Sequence, residues 1–516
     1  MTNHPAVASS TENVLTRGGR LAGIGLALGG TAAFLVFCRF LYAGLSGERQ
    51  IGTLLVIVLF YLLPAVVAAL LFGSLRLKPI QKLRVFTVCA GVAVAVYAVE
   101  LVLVFLDVGQ IKPAMSRMAT VRDKKQYAAE LTKEFGGSID IRTAEEVLAD
   151  LRSRKVEAVP IVTASNHLFV HHPDGGIESA IKVDGHEVMP LGSVSNSLTL
   201  LCNEGGQWID YRSDSRGFNN PDEQWRLGRL DMALLGDSFV QGYCVPQDRA
   251  IAPLIRERVA ATLNLGMAGD GPLLTLATLA EYLPRFSPKI VLWFYYEGND
   301  LLELQLERRN RLLENYLRPE YTQEYLTRQR DIDRAIVAEM PRLAATDKEN
   351  LERRSWNAAV FTLFSFAKLT SVRDRLGLIR EMDRRSLEEA VDFEKGNLDV
   401  FRGIMSQAQT RVAAWNGQLY FVYLPEWSRY TNYRSLGEAK RDDVLKLVGS
   451  LGIPIIDIDP LFRAHGDPLS LFPFRRIGHY TEAGHRLVAE EVLRRLTVDG
   501  RIDAKENVVG RVGRVP

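Results

Sequence analysis

The sequence predicts an α/β domain built on a doubly wound parallel sheet, preceded by membrane helices and a small α+β segment. After residue 231, short apolar runs without clear alternation are separated by helical patterns, as expected for parallel strands that are buried on both faces. Before residue 110, three stretches are apolar enough to cross a bilayer. The predicted strands are Met232–Leu235, Thr262–Leu265, Lys289–Phe294, Gln418–Tyr423 and Pro454–Asp457.

Three transmembrane helices are predicted within residues 21–108, at Leu21–Tyr42, Ile51–Gly73 and Val85–Val108. A helix needs about 20 apolar residues to cross a hydrocarbon core of roughly 30 Å. A secretory signal peptide is the alternative for the first stretch. That stretch is too long for a signal peptide, however, and two further spans follow it.

The basic residues set the expected orientation, because short loops rich in lysine and arginine stay in the cytoplasm. Residues 1–20 are therefore predicted to be a cytoplasmic tail. Everything after about residue 110 is expected outside the cytoplasmic membrane, which in a Gram-negative cell is the periplasm. The basic residues precede the first span and separate the second from the third: Arg17, Arg20, Arg76, Lys78, Lys82 and Arg84.

Two charged residues and two cysteines give further expectations. Arg39 and Glu100 lie at similar depth in their spans and are expected to form an ion pair, with snorkelling of Arg39 as the alternative. Cys202 and Cys244 would meet an oxidising compartment, where a disulfide can form, although the sequence does not test its geometry.

Composition excludes some classes of function. A chain of 516 residues that is 47% hydrophobic can bury at least one large core and is too long for one ordinary domain. Its formal charge of +2 gives no electrostatic reason to expect nucleic acid as a partner. The cysteines have no metal-ligand spacing, and neither a metal nor a cofactor is expected. The oligomeric state stays unknown.

The remaining boundaries follow from changes of pattern. Residues 118–230 contain helical spacing and then short β-prone runs between turns, which predicts a small α+β segment. Residues 231–498 form the predicted α/β domain, with a helical insertion at 301–417 and a C-terminal tail at 499–516. The insertion is interpreted either as a lid or substrate platform or as a solvated helical decoration.

Four motifs lie where predicted strands end or helices begin. Gly236-Asp237-Ser238-Phe239 follows the first strand, and Asn264 to Gly271 covers the end of the second. Glu297-Gly298-Asn299-Asp300 follows the third strand, and Gly478-His479 precedes the last helix. Active sites in such sheets lie at the carboxyl ends of the strands. A serine there needs a base to take its proton and donors to hold the oxyanion.

In this order, the four motifs resemble blocks I, II, III and V of the SGNH (GDSL-like) hydrolases, over about residues 231–496. The resemblance implies that Ser238 is the nucleophile and His479 the general base. It implies that the oxyanion is held by the backbone N–H of Ser238, the backbone N–H of Gly269 and the side-chain amide of Asn299. Gly266 is the alternative to Gly269.

One feature departs from the family. Block V usually has an acid two or three residues before the histidine, where this chain has Arg476 and Ile477. Three alternatives stay open: a backbone carbonyl near Arg475 or Arg476 orients His479, a carboxylate such as Asp467 or Asp459 substitutes, or the site is weak or inactive.

Other residues near the motifs have structural interpretations. Asp237 is expected to hold its turn, and His485 is expected to be a surface or packing residue. The segment Asn203-Glu204 and residues 211–221 resemble the lead-in found before the nucleophile strand in many exported members of the superfamily. This lead-in is expected to pack beside the site, and Arg216 or Asn219 are candidates to contact substrate.

The resemblance and the topology together predict a membrane-anchored periplasmic serine esterase that acts on an envelope or exported glycan or a lipid. Acetyl esters on an exported polysaccharide are the leading substrate. One alternative is an O-acyltransferase with the same residues and a sugar hydroxyl as acceptor. The other is an inert glycan-binding or scaffold protein of an envelope assembly, an alternative motivated by the missing acid.

Overall fold

The computed structural model describes residues 5–45, 62–105, 121–367, 369, 372, 395–431 and 436–503. The chain divides into two compact units. The first contains Met1–Gln110 together with Thr362–Ile379, and the second contains Ile111–Phe361 and Arg380–Pro516. A short stretch of the insertion therefore belongs with the N-terminal helices.

The first unit contains helices α1 (Pro5–Leu45), α2 (Leu63–Ser74) and α3 (Pro79–Phe105). Among the described residues, two stretches, Thr16–Arg39 and Pro79–Leu103, are long and apolar enough to cross a membrane. They overlap the first and third predicted spans.

The first half of the middle predicted span, residues 51–61, lies outside the described residues. The described part of this span is α2, whose 12 residues are too few to cross a bilayer alone. The described part of the chain thus contains two candidate spans rather than the three predicted. The pairing of Arg39 with Glu100 stays a prediction.

The second unit begins with an α+β segment. Its helices are α4 (Val121–Phe135) and α5 (Ala144–Ser153), and a capping box between Thr143 and Glu146 starts α5. A three-stranded sheet has the order β1-β6-β7, and β2 with β3 and β4 with β5 form two separate pairs. The strands are β1 (Ala158–Pro160), β2 (Phe169–His171), β3 (Ile177–Ser179), β4 (Lys182–Val183), β5 (His186–Glu187), β6 (Leu198–Cys202) and β7 (Ile209–Arg212).

The main sheet has five parallel strands in the order β12-β11-β10-β8-β9. The predicted parallel α/β sheet is confirmed, and the observed strand ends lie within two residues of the predicted ones. The order changes direction at β8, so the first strand lies inside the sheet and its carboxyl end opens at a switch point. The strands are β8 (Met232–Gly236), β9 (Thr262–Gly266), β10 (Ile290–Tyr296), β11 (Gln418–Leu424) and β12 (Ile455–Asp457).

Helices follow the strands and pack against two cores. Alternate residues of β8 enter different cores: Ala233 and Leu235 join one cluster, and Met232 and Leu234 join the other. This alternation explains the continuous apolar runs, because both faces of each strand are covered. The helices are α6 (Ser238–Gln241), α7 (Ile251–Arg256), α8 (Pro272–Tyr282), α9 (Asp300–Glu307), α10 (Arg311–Glu314), α11 (Tyr325–Ala367), α12 (Lys395–Ala413), α13 (Leu436–Ser450), α14 (Asp459–Ala464) and α15 (Glu482–Val498).

Part of the insertion is built into the first core. Leu313, Tyr316 and Ile336 are fully buried there, and Phe401 of α12 packs its ring 5.5 Å from that of Tyr295 on β10. These side chains are core residues rather than a solvated decoration. The α+β segment contributes to the same core through residues such as Leu168 and Tyr211.

Candidate active site

The turn after β8 presents Ser238. Gly236 has φ +150°, and a Cβ at this position would lie 3.0 Å from the carbonyl oxygen of Phe294. Glycine is therefore required by both the backbone conformation and the close approach. Asp237 accepts the backbone N–H of Phe239 at 3.0 Å and caps the four-residue α6. Ser238 begins this helix at the carboxyl edge of the sheet.

The structure brings Ser238 and His479 together from positions 241 residues apart. The distance between His479 Nε2 and Ser238 Oγ is 2.8 Å. The imidazole lies between two aromatic rings, with centroid distances of 4.8 Å to Phe239 and 4.7 Å to Tyr243. These rings restrict the orientation of the imidazole, so its Nε2 faces the serine hydroxyl.

The other ring nitrogen of His479 meets a carboxylate from the α+β segment. Glu204 Oε2 lies 2.9 Å from His479 Nδ1 and accepts the backbone N–H of His479 at 2.8 Å. The carboxylate thus contacts both the backbone and the ring of the same residue. A third group that orients the base completes the arrangement used by serine hydrolases.

Glu204 corrects the candidates proposed for the missing acid. Asp467 binds the Arg475 guanidinium at 2.7 Å, and Asp459 binds that of Arg463 at 3.0 Å. The Arg475 carbonyl accepts the Trp427 indole N–H at 3.0 Å. Of the three alternatives, a carboxylate from elsewhere in the chain agrees with the structure. The residue that contacts His479 is Glu204, however, and neither Asp467 nor Asp459. Glu204 belongs to the lead-in motif, but that motif alone did not mark it as the acid.

The start of the α+β segment supports both loops that meet at the histidine. Asn203 Nδ2 donates to the carbonyl of Asp140 at 2.7 Å, which ties down the turn that carries the glutamate. Phe135 of α4 packs its ring 5.5 Å from that of Phe474, in the loop that carries the histidine. Residues 135–140 therefore link the two loops, and the segment forms part of the candidate site.

A disulfide lies beside the same residues. Cys202 and Cys244 are bonded, with their Cα atoms 5.4 Å apart. Cys202 is two residues before Glu204, and Cys244 follows Tyr243, whose ring contacts His479. The bond that the sequence left open therefore connects the end of β6 to the loop after α6.

Replacing both cysteines with serine should lower the thermal stability of the protein. The disulfide closes a loop with a sequence separation of 42 residues. Chain-entropy reasoning gives such a cross-link up to about 4 kcal/mol of stabilisation. We expect a lower midpoint in thermal unfolding of the Cys202→Ser/Cys244→Ser variant, with Cys38→Ser/Cys89→Ser as the matched control, because Cys38 and Cys89 are unbonded. Equal midpoints for the two double variants would contradict the prediction.

The loop after β9, which belongs to block II, places Gly269 beside the α+β segment. Gly269 has φ +80°, and a Cβ there would lie 2.3 Å from Ser165 Oγ. Ser165 Oγ donates to the Gly269 carbonyl at 2.5 Å, and the Ala268 N–H donates to Gln241 Oε1 at 2.9 Å. These bonds fix the loop. The alternative residue, Gly266, uses its N–H in a bond to Asn264 Oδ1 at 3.0 Å.

Asn299 lies at the N-terminus of α9 without capping it. Its side chain makes no capping bond to that helix, and its Nδ2 donates to Glu303 Oε1 at 2.8 Å. Within the described residues its buried Oδ1 has no hydrogen-bond partner. A primary amide has two N–H donors, so the bond to Glu303 occupies one and orients the other.

Buried carboxyl groups surround this amide. Burial raises the pKa of Glu303 and Asp300 well above the ordinary range, and the charge of nearby Asp237 raises both further. Burial also raises the pKa of Asp237 to about 6 and that of Asp270 well above its usual value. A raised pKa favours the neutral form of a carboxyl group, and the neutral form places less negative charge beside a developing oxyanion. Among the described residues, no group of three or more histidine, cysteine, aspartate or glutamate side chains is arranged to hold a metal ion.

The other expected residues have packing roles. His485 is fully buried, and burial lowers its pKa to about 3, so its imidazole is neutral. Asn219 donates to the Gln241 carbonyl at 2.8 Å and accepts from Gln247 Nε2 at 2.7 Å. Arg216 Nη1 donates to the Leu326 carbonyl at 3.0 Å. The lead-in therefore packs beside the site, as expected, with both proposed substrate contacts already bonded within the protein.

Comparisons with known proteins give matches to solved structures. No protein-family model matches the chain, and no curated protein matches it. The lipase/acylhydrolase from Enterococcus faecalis is 12% identical over 54% of this chain and 99% of its own, with a TM-score of 0.30. A putative lipolytic protein of the G-D-S-L family from Desulfitobacterium hafniense DCB-2 is 11% identical, over 51% and 97%, with a TM-score of 0.28. The acetyl xylan esterase AlAXEase is 10% identical, over 51% and 98%, with a TM-score of 0.29.

The topology and the motif positions carry the assignment of the fold. The motifs with Ser238, Gly269 and Asn299 follow three adjacent parallel strands, so they meet at one edge of the sheet. The His479 ring reaches the same edge. The observed sheet and the positions of the motifs are those that the resemblance to the SGNH hydrolases implies.

Proposed function

We propose that the chain is a membrane-anchored serine esterase whose site faces the periplasm. The observation that carries the proposal is the row of Glu204, His479 and Ser238, with contacts of 2.9 and 2.8 Å. His479 takes the proton of Ser238 as the hydroxyl attacks the ester carbonyl. The imidazolium then protonates the leaving alkoxide. Water, deprotonated by the same imidazole, hydrolyses the acyl-enzyme and restores the serine.

The oxyanion donors in this proposal are the N–H groups of Ser238 and Gly269 and the free amide hydrogen of Asn299. The fixed block II loop and the bond from Asn299 to Glu303 support these roles, since donors set in advance need no reorganisation during the reaction. Each such donor is worth roughly 100- to 1,000-fold in rate.

Several observations support the proposed location. Two candidate spans precede the catalytic unit, and basic residues border both. The Cys202–Cys244 disulfide is typical of oxidising compartments such as the periplasm. Export through three spans with the N-terminus inside requires that residues 51–73 also cross. From this location we propose that the substrate is an ester of an envelope or exported glycan or of a lipid. O-acetyl esters of a glycan are the leading candidates.

Glu204 also bears on the competing function. The inert glycan-binding or scaffold protein was motivated by the absence of an acid near His479. Because Glu204 occupies that place, the motive for an inactive site is removed. The proposal therefore keeps hydrolysis as the function, and transfer to a sugar hydroxyl would use the same residues.

A fluorophosphonate probe tests the proposal directly. We expect the probe to label the purified full chain, and we expect Ser238→Ala to abolish labelling. Ser287→Ala is the matched control, because Ser287 bonds the Pro284 carbonyl in the turn before β10, at the opposite edge of the sheet. An unlabelled parent protein, or labelling that survives in Ser238→Ala, would rule out the proposed nucleophile.

Glu303 should act as a positioning residue for Asn299. Glu303→Leu removes the acceptor of the amide hydrogen, so we expect kcat to fall by up to about 100-fold with little change in KM. Glu303→Gln keeps an acceptor oxygen and should retain most of the activity. The measurement is steady-state hydrolysis of an aryl acetate. Equal losses in the two variants would indicate a merely structural role.

The same carboxyl should make stability depend on pH. Burial raises the folded-state pKa of Glu303 above its unfolded value, so the stabilisation from its bound proton is present at low pH and is lost as the pH rises through the folded pKa. We expect the unfolding midpoint of the parent to fall as the pH rises from acid through neutrality. Glu303→Gln should show a shallower decline. If the unfolding midpoint of Glu303→Gln falls as steeply with pH as that of the parent, or more steeply, Glu303 is not a source of the pH dependence.

A further inference from the structure

The end of helix α11 has an unusual composition for this insertion. Residues 358–367 read Ala-Ala-Val-Phe-Thr-Leu-Phe-Ser-Phe-Ala, with no charged residue, whereas the rest of the insertion is rich in arginine and glutamate. Ten helical residues extend about 15 Å, half of a bilayer core of roughly 30 Å. A stretch of this length does not cross a membrane. It suits a buried core helix or a re-entrant segment.

The first unit contains the end of this stretch. Residues Thr362–Ile379 group with the N-terminal helices and not with the catalytic unit. The ring of Phe366 lies 5.4 Å from that of Tyr97 on α3. The N–H of Val372 donates to Glu100 Oε2 at 2.8 Å, and Glu100 is fully buried. The contacts are therefore with α3, the more apolar of the two candidate spans.

The positions of Tyr97 and Glu100 set the depth of these contacts. The candidate span on α3 ends at Leu103, six residues after Tyr97 and three after Glu100. At 1.5 Å per residue, the contacts lie about 9 Å and about 4.5 Å from the end of the span. Groups that touch α3 there lie within the outer leaflet if α3 crosses the bilayer.

The hydrogen bond to Glu100 agrees with this depth. Backbone away from water must have its polar groups satisfied within the protein, and an ionisable residue in a span usually has a specific partner. The bond from the Val372 N–H to Glu100 satisfies a backbone donor within the protein, and it also gives the buried carboxylate a partner. An apolar helix end, a ring contact and a bonded carboxylate thus occur together at one level of α3.

We propose that the end of α11 from Thr362, the part that belongs to the first unit, is a re-entrant membrane element that meets the acyl chains of the outer leaflet beside α3. The proposal rests on the proposed membrane anchoring of the chain. It gives the insertion a lipid partner that neither a lid nor a solvated decoration requires. The catalytic unit would then be attached to the bilayer through the insertion as well as through its N-terminal spans.

Site-specific fluorescence in vesicles tests this element. In a Cys38→Ala/Cys89→Ala background that keeps the disulfide, Phe366→Cys is labelled with the environment-sensitive dye NBD. The full chain is reconstituted in phosphatidylcholine vesicles with and without doxyl groups on the acyl chains. Val92→Cys on α3, which is 59% exposed, is the lipid-facing control, and Val337→Cys on α11, which is 48% exposed, is the control on the same helix in the other unit.

The proposal predicts that doxyl lipid lowers the emission at position 366 by at least half of the quenching seen at position 92, with little quenching at 337. Leu369→Cys serves as a second probe if Phe366→Cys does not fold. Quenching at 366 equal to that at 337 overturns the proposal, whether or not the emission shifts to the blue. Absence of quenching at 92 overturns the membrane anchoring itself, and the proposal with it, so the two failures are distinguishable.

Discussion

His479→Ala should lower kcat for ester hydrolysis by about 10⁶-fold, the loss found when a catalytic serine or histidine is removed from a serine hydrolase. The Ser238 hydroxyl loses the base that lies 2.8 Å away, so the weakly nucleophilic alcohol is not activated. Steady-state hydrolysis of an aryl acetate by the purified full chain measures the effect.

The environment of the imidazole supplies a control for this variant. Alanine leaves a gap between the rings of Phe239 and Tyr243, so added imidazole should restore part of the activity. It should restore none in Ser238→Ala. The exposed residue His186 provides the matched substitution His186→Gln, with parent-like rates expected. A His479→Ala protein that keeps a tenth of the parent rate would contradict the assigned base.

Glu204→Gln should have the second largest effect, a decrease in kcat of about 10⁴-fold, by comparison with amide replacement of the orienting acid in serine proteases. Glutamine is nearly isosteric, so the loss would come from the charge and the proton arrangement rather than from packing. The carboxylate holds both the backbone N–H and the ring Nδ1 of His479, at 2.8 and 2.9 Å. KM should change little, because the glutamate acts through the histidine.

Asp467→Asn is the matched control for the glutamate variant. Asp467 is the nearest acid that precedes the usual block V position in the sequence, but it binds Arg475 at 2.7 Å. We expect its amide variant to keep most of the parent activity. If Asp467→Asn lowers kcat as much as Glu204→Gln does, Glu204 is not the specific acid that orients His479.

The role of Glu204 changes the interpretation of residues 118–230. This segment supplies the carboxylate, one cysteine of the disulfide, and the Ser165 hydroxyl that bonds the Gly269 carbonyl at 2.5 Å. Its first helix also packs on the loop that carries the histidine. A fragment that begins at β8 would therefore lack part of the proposed catalytic machinery.

Local patterns in the sequence predicted most of the sheet. The five strands are buried on both faces, and this burial requires continuous apolar runs that are legible one strand at a time. Ser238, Gly269 and Asn299 follow three neighbouring strands, so their positions were predictable once the strands were known. The predicted middle span had no such support, since its described part is only the 12-residue α2.

The sequence by itself determined the parallel sheet and the serine, because strand burial and turn geometry depend on residues close together in the chain. Only the tertiary structure decided which carboxylate orients His479, whether Cys202 and Cys244 pair, and that Phe366 and Val372 contact α3. Glu204 and His479 are 275 residues apart, and Val372 and Glu100 are 272 apart. No local pattern records which of many acids reaches an imidazole, because that choice is made by packing between distant segments.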